Sequence, residues 1–199
     1  MDRNKALQDI ALIKRVMEKT NIYYDNHYPY YMLWGTLVVA ATSVQQYAQI
    51  IQTKSYWIYP LVWLTFMALG VIGSIVIASR TDRGQHNETA KYIGRINMLI
   101  WGSATLAIFI LVLMSSVWNI YPIENIILFI TLIIGLTLIF FGIYFHKPAV
   151  YLGLLCFPAT IVMCCLPLWQ PAIYGLLLGG GYFIIGLLNR ARIRSNVNG

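Results

Sequence analysis

Residues 123–145 read IENIILFITLIIGLTLIFFGIYF, and after Glu124 no charged side chain occurs until Lys147. A helix needs about 20 consecutive apolar residues to cross the hydrocarbon core of a bilayer, so this stretch is long enough to span one. Glu124 follows Pro122 at the start of the run, where a helix N-terminus favours a carboxylate, and it reads as a cap. Five further apolar runs surround it, at 29–51, 56–79, 94–118, 149–169 and 171–188. Gln45, Gln46 and Gln49 interrupt the far end of the first. The last two are parted only by Trp169-Gln170-Pro171, which demands a tight helical hairpin or a broken pair, and Pro158 and Pro167 predict a kink or an unwound end. The expected fold is all-α: a polytopic membrane bundle of six transmembrane helices, preceded by an N-terminal amphipathic helix.

Composition agrees. Of 199 residues, 59% are hydrophobic and 11% charged, whereas a soluble domain carries about 25% charged residues. Ordinary globular, disordered, collagenous and disulfide-stapled classes are thereby excluded. The net charge of +7 would suggest nucleic acid in a soluble protein. Here the basic residues flank the apolar runs, where they act as topology signals and headgroup contacts, so no nucleic-acid partner is expected. Cys156, Cys164 and Cys165 all lie in one apolar run, an odd number that argues against a disulfide framework. No short apolar core with a small-residue cleavage site precedes the first long run, which is expected to serve as an uncleaved anchor.

Charge asymmetry orients the runs. Of the 14 Lys and Arg residues, all but Lys54 fall on one side: Arg3, Lys5, Lys14, Arg15 and Lys19 before the first run, Arg80, Arg83, Lys91 and Arg95 around the second connection, then Lys147, Arg190, Arg192 and Arg194. The positive-inside rule places both termini in the cytoplasm. Trp57, Tyr59, Trp118, Tyr121 and Trp169 mark the outer boundary, and Tyr28, Tyr30, Tyr31, Trp34 and Tyr92 the inner one. The organisation is then a cytoplasmic amphipathic helix and aromatic turn (1–28), a six-span bundle (29–188) and a basic cytoplasmic tail (189–199). Outer connections are a few residues each, so a protein partner is expected to dock from the cytoplasm.

In residues 1–28, Ala6, Ile10, Ile13 and Met17 form one apolar stripe at helical spacing, with Lys5, Gln8, Arg15 and Lys19 opposite. Such a helix lies on anionic phospholipid of the inner leaflet or docks a cytoplasmic protein, and Ile10, Ile13, Met17, Lys14 and Arg15 are the candidate docking residues. In the first run, Thr42, Gln45, Gln49 and Gln52 recur at spacings of three, four and three. They share one face, which is expected to avoid lipid and line a polar cavity or leave the bilayer. Gly175 and Gly179 form a small-xxx-small pair for close helix packing, within the bundle or in a homo-oligomer, and Gly70, Ser74 and Ala78 form a similar strip. Tyr31-Met32-Leu33-Trp34-Gly35 resembles Asn97-Met98-Leu99-Ile100-Trp101-Gly102, which suggests a repeat of helix hairpins, with Val150-Tyr151-Leu152-Gly153 as a degenerate third member.

The chemical inventory is short. No Asp, Glu, Lys, Arg or His lies near the middle of any run, which removes the usual means of ion- or proton-coupled transport. His27, His86 and His146 share one side of the membrane but lack ligand spacing, and Met163-Cys164-Cys165 reads as small apolar packing rather than a Cu(I) site. No catalytic residue, metal or cofactor is assigned.

The stretch Ala6-Leu7-Gln8-Asp9-Ile10-Ala11-Leu12-Ile13-Lys14-Arg15-Val16-Met17, followed by Trp34-Gly35 at the head of the first run, resembles small multi-pass bacterial inner-membrane proteins. The resemblance implies a location in the bacterial cytoplasmic membrane and transfers no functional residue. The six-span size is also similar to substrate-capture subunits of vitamin transporters, whose small-residue docking pattern has a counterpart only at Ala40 and Ala41. The expected function is non-enzymatic: a membrane protein that interacts with or regulates a cytoplasmic or membrane partner. The alternative is a small-solute transporter or channel subunit built on the polar face of the first run.

Orientation has a direct test. Asn87-Glu88-Thr89 is a glycosylation sequon in the second connection. Expressed in a eukaryotic membrane system, Asn87 is expected to stay unmodified by gel-mobility assay; glycan there would invert the topology.

Overall fold

The computed structural model of the chain describes residues 28–51, 58–81, 88–116, 118, 120 and 125–198. In chain order these form α1 (Tyr28–Ile50), α2 (Ile58–Thr81), α3 (Glu88–Ser116), α4 (Ile126–Tyr144) and α5 (Lys147–Cys165). A 3-10 turn (Pro167–Trp169), α6 (Gln170–Tyr174), a π-helical stretch (Gly175–Gly180) and α7 (Gly181–Asn198) follow. Helical dihedrals at Gly175 and Gly181 join α6, the π stretch and α7 into one terminal rod. The N-terminal residues Ile10, Ile13, Lys14, Arg15 and Met17 lie outside the described residues, as do Gln52, His27 and His86.

Among the described residues, five segments are long and apolar enough to cross a membrane: Leu61–Arg80, Gly94–Ser115, Ile126–Tyr144, Lys147–Cys165 and Pro167–Ser195. Their mean hydropathy runs from 1.7 to 2.9. α1, rich in tyrosine and glutamine, is less apolar than these, yet its 23 residues make a rod of about 34 Å, as long as a span. Several boundaries differ from the hydropathy pattern. α3 begins at Glu88, six residues before its apolar run, and the fifth helix stops at Cys165, where the 3-10 turn absorbs Pro167. The terminal rod continues past residue 188 to Asn198, so Arg190, Arg192 and Arg194 ride on a helix.

Within the helices the threonine hydroxyls are satisfied locally. Thr36, Thr42, Thr65, Thr105, Thr131, Thr137 and Thr160 each donate their hydroxyl to the carbonyl four residues back. A hydroxyl tied to its own backbone adds no unpaired group to an apolar surface, which is why threonine is tolerated along such helices.

Glycines set the packing. α1 runs antiparallel to the terminal rod along its whole length: Gly186 abuts Met32, Gly179 abuts Val39 and the Gly35 carbonyl, and Gly175 abuts Thr42. α4 and α5 form a second close hairpin, with Gly142 against Val150, Gly135 against Cys156 and Gly153 against Ile139. The Gly175–Gly179 pair thus faces α1 inside the bundle. α2 packs chiefly on α1 and α3 chiefly on α4. The Gly70/Ser74 strip receives Trp34, whose indole lies over Gly70 and whose Nε1 donates to Ser74 Oγ at 3.2 Å. Gly35 and Gly102, which occupy matching places in the two similar stretches, differ in use: Gly35 is wedged against Phe183, whereas among the described residues nothing lies within 4 Å of a methyl placed on Gly102. Leu138, Cys156, Met163 and Leu178 form the fully buried centre, while Leu64, Ile75, Met98, Leu99, Phe109 and Leu176 project outward.

The seam predicts a sharp asymmetry. A methyl on Gly179 would lie 2.6 Å from Val39 Cγ2 and 2.9 Å from the Gly35 carbonyl oxygen. Gly179→Val is expected to lose at least about 1–3 kcal/mol by overpacking, seen as a lowered melting temperature in detergent. Gly102→Ala is expected to leave it unchanged or slightly raised, since helix propensity favours Ala by about 1 kcal/mol.

Candidate functional site

Two polar clusters stand at opposite ends of the bundle. The antiparallel registers bring Arg80, Arg95, Lys147, Arg190, Arg192 and Arg194 to one end, called here the basic end.

At the basic end the α4–α5 turn carries His146, which is 2% exposed. Its backbone leaves helical geometry, its carbonyl accepts from Ala149 N at 2.9 Å, and Pro148 starts α5. The imidazole Nε2 lies 3.4 Å from Nδ2 of Asn189 on α7, and the ring packs on Tyr31 of α1 with centroids 5.5 Å apart. Tyr31 stacks in turn on Tyr182 at 6.0 Å. Three segments distant in sequence therefore meet on one imidazole. Burial, and then the positive charge of Arg192, lower the His146 pKa from 6.5 to about 4, so the ring is neutral at physiological pH. With Asn189 donating, Nε2 is the acceptor and the ring proton sits on Nδ1. Asn189 is 1% exposed and its Oδ1 has no hydrogen-bond partner among the described residues. This arrangement can hold or exchange a proton or bond a small polar group, and it carries no nucleophile–base pair.

At the far end the broken hairpin between α5 and α6 exposes backbone groups that helices normally pair. No side chain of Trp169 caps α6. Gln46 of α1 does this work from another helix: Oε1 accepts from Ala172 N at 3.1 Å, and Nε2 donates to the Leu168 carbonyl at 2.9 Å. Gln170 closes the other side, donating to the Met163 carbonyl at 3.3 Å. Orphan backbone groups at helix ends need such partners wherever water is excluded.

The expected polar face of α1 is divided among neighbours. Thr42 is buried against the π stretch. Gln45 turns to α2, where its Oε1 accepts from Trp63 Nε1 at 3.1 Å. Gln49 keeps a buried Oε1 without a hydrogen-bond partner among the described residues. Gln46, four residues after Thr42, makes the most consequential bonds and was absent from the strip read at spacings of three, four and three. The prolines at 167 and 171 were the available signal, since they interrupt backbone pairing close by. Asn189 had no sequence signal, because its partner His146 is remote in the chain.

Among the described residues no group of three or more His, Cys, Asp or Glu could hold a metal. Cys156 is buried, whereas Cys164 and Cys165 are exposed, and all three are free.

Compared with known proteins, the chain matches no family model, no curated protein and no solved structure. Its chemistry is therefore read from these clusters alone.

The buried imidazole makes stability pH-dependent. Above pH 6.5 the ring is neutral whether folded or unfolded; as pH falls from 6.5 to about 4 only the unfolded chain gains a proton, so stability drops across that window and then levels. The expected loss is on the order of 3 kcal/mol. Thermal unfolding in detergent at pH 7 and pH 4.5 measures it. His146→Gln is expected to flatten the dependence, and an unaltered acid loss in that variant would assign the effect elsewhere.

Proposed function

We propose that this chain is a non-enzymatic integral membrane protein with six spans and both termini in the cytoplasm, which binds or regulates a partner at its basic end. The sixth span is α1, which runs antiparallel beside the terminal rod for the whole of its length. One observation carries the reading. Gln45, Gln46 and the His146–Asn189 pair are engaged in joining segments of the bundle, while six cations stand exposed at one end: Arg80, Arg95, Lys147, Arg190, Arg192 and Arg194. Such a ring of cations suits anionic phospholipid of the inner leaflet, at about 1 kcal/mol per charge, and an acidic protein surface docking above it. The amphipathic segment around Ile10, Ile13 and Met17 follows the same logic, with an apolar stripe for lipid or partner and Lys14 and Arg15 for anions. Location in a bacterial cytoplasmic membrane, as the resemblance of residues 6–17 implies, belongs to the same proposal.

Ile10→Asp with Ile13→Asp in the full chain tests the partner role. Affinity purification from native membranes is expected to lose the co-purifying partner at least tenfold, while the protein stays in the membrane fraction with an unchanged melting temperature. Undiminished recovery of the partner would remove the N-terminal segment from the interface.

A further inference from the structure

α3 and α4 do not close on each other along one side of their contact. A groove of about 380 Å3 runs between them, with Ser103, Ala104 and Ala107 as its low wall and Leu136, Phe140 and Tyr144 as its high one. Below the Tyr144 hydroxyl at its mouth the hydroxyls are tied to backbone: Ser103 donates to the Ile100 carbonyl and Thr137 to the Ile133 carbonyl, so the lining offers mainly hydrocarbon. From Ile133 to Tyr144 the groove covers eleven helical steps, about 16 Å, close to half of the roughly 30 Å hydrocarbon core. It is therefore one leaflet deep, and Tyr144 sets its mouth at the basic end. Over that length the volume corresponds to a slot narrower than a helix with side chains, whose diameter is about 10–12 Å. A neighbouring helix does not enter such a slot; a single hydrocarbon chain does.

Charge favours the same occupant. Lys147 follows Tyr144 by three residues and is exposed. α3 and α4 are antiparallel, with Trp101 on Phe141 and Ala104 beside Thr137, a register that sets exposed Arg95 level with Lys147. Two cations thus stand at the end of the bundle where the slot opens, at headgroup height.

We propose that the α3–α4 groove holds one acyl chain of a phospholipid from the leaflet at the basic end, its anionic headgroup at Lys147 and Arg95. This rests on the membrane placement proposed above. The test uses the full chain purified in mild detergent, with native mass spectrometry after exposure to phosphatidylglycerol or phosphatidylcholine of identical chains. One phosphatidylglycerol is expected to be retained per chain. Ala107→Phe fills the slot from an exposed position and is expected to cut retention of both lipids at least tenfold. Lys147→Gln with Arg95→Gln is expected to lower the preference for phosphatidylglycerol by about fivefold per cation while phosphatidylcholine retention holds. Retention unchanged by Ala107→Phe overturns the site, as does a changed oligomeric state in that variant without loss of lipid. Phosphatidylglycerol bearing a photoreactive group in mid-chain gives a second reading: labelling concentrated on residues 100–107 and 133–144 supports the groove, and labelling spread evenly over 61–80 as well overturns it. Alkaline carbonate extraction of the same membranes separates the two proposals. Release of the protein would sink the membrane placement itself, whereas an extraction-resistant protein that retains no lipid sinks the groove alone.

Discussion

The bundle depends on how closely α1 can approach the terminal rod. Backbone meets backbone where Gly35 and Gly179 face each other, and the same seam passes Thr42 over Gly175 and Met32 over Gly186. In an apolar solvent the hydrophobic effect does not press helices together, so van der Waals packing at short range and interhelical hydrogen bonds carry the association. Each glycine on the seam removes a side chain that would otherwise hold the helices apart. The π stretch falls in this segment, and its glycines accept a wider turn without crowding α1. Everything else is referred to that seam: α2 hangs on α1 through Trp34 and the Gly70/Ser74 strip, and α5 brings α4, which brings α3.

A close seam still leaves the ends to be satisfied. At the far end two prolines break the hairpin between α5 and α6, and Gln46 and Gln170 pair the backbone groups released there. At the basic end the turn after α4 is short, and His146 fixes it to α7 and α1 by one amide contact and one ring contact. The two clusters act alike. Each spends a polar side chain on a point where helix geometry fails, and each ties α1 or its partner rod to a segment far away in the chain. A buried glutamine on a span is thus a structural brace here, and a neutral buried histidine is another.

Much of this was legible in the amino-acid order, and the failures have physical reasons. α4 was plain because its apolar run is unbroken and as long as a bilayer is thick. The last apolar run ends at residue 188 and the rod at Asn198, since hydropathy reports where lipid ends and not where a helix does; Arg190, Arg192 and Arg194 are good helix formers and carry the rod onward. Spacing puts Thr42, Gln45 and Gln49 on one face of α1 but leaves open what that face meets. Spacing gives direction around the helix axis but not the identity of the neighbour in each direction, and α2 takes Gln45 while the broken hairpin takes Gln46. The meeting of His146 and Asn189 has no local trace at all, because pairing across 43 residues follows from the seam and not from either neighbourhood.

The distribution of restraint bears on function. α1, α4, α5 and the terminal rod each meet several neighbours, whereas α2, though seated on α1 by Gly70 and Gly73, and α3 each lean chiefly on one and turn most of their apolar surface outward. Free energies of local opening follow the number of buried contacts, so the two flanking helices lie at the low-stability side of the structure. Both also carry a cation to the basic end, Arg80 on α2 and Arg95 on α3. A ligand or partner that gathers charge at that end therefore acts on the elements that move most easily, while the braced centre holds its register. The buried glutamines and His146 brace the bundle, and under the proposed function the surface that answers a partner is the basic end together with the two helices that reach it from outside.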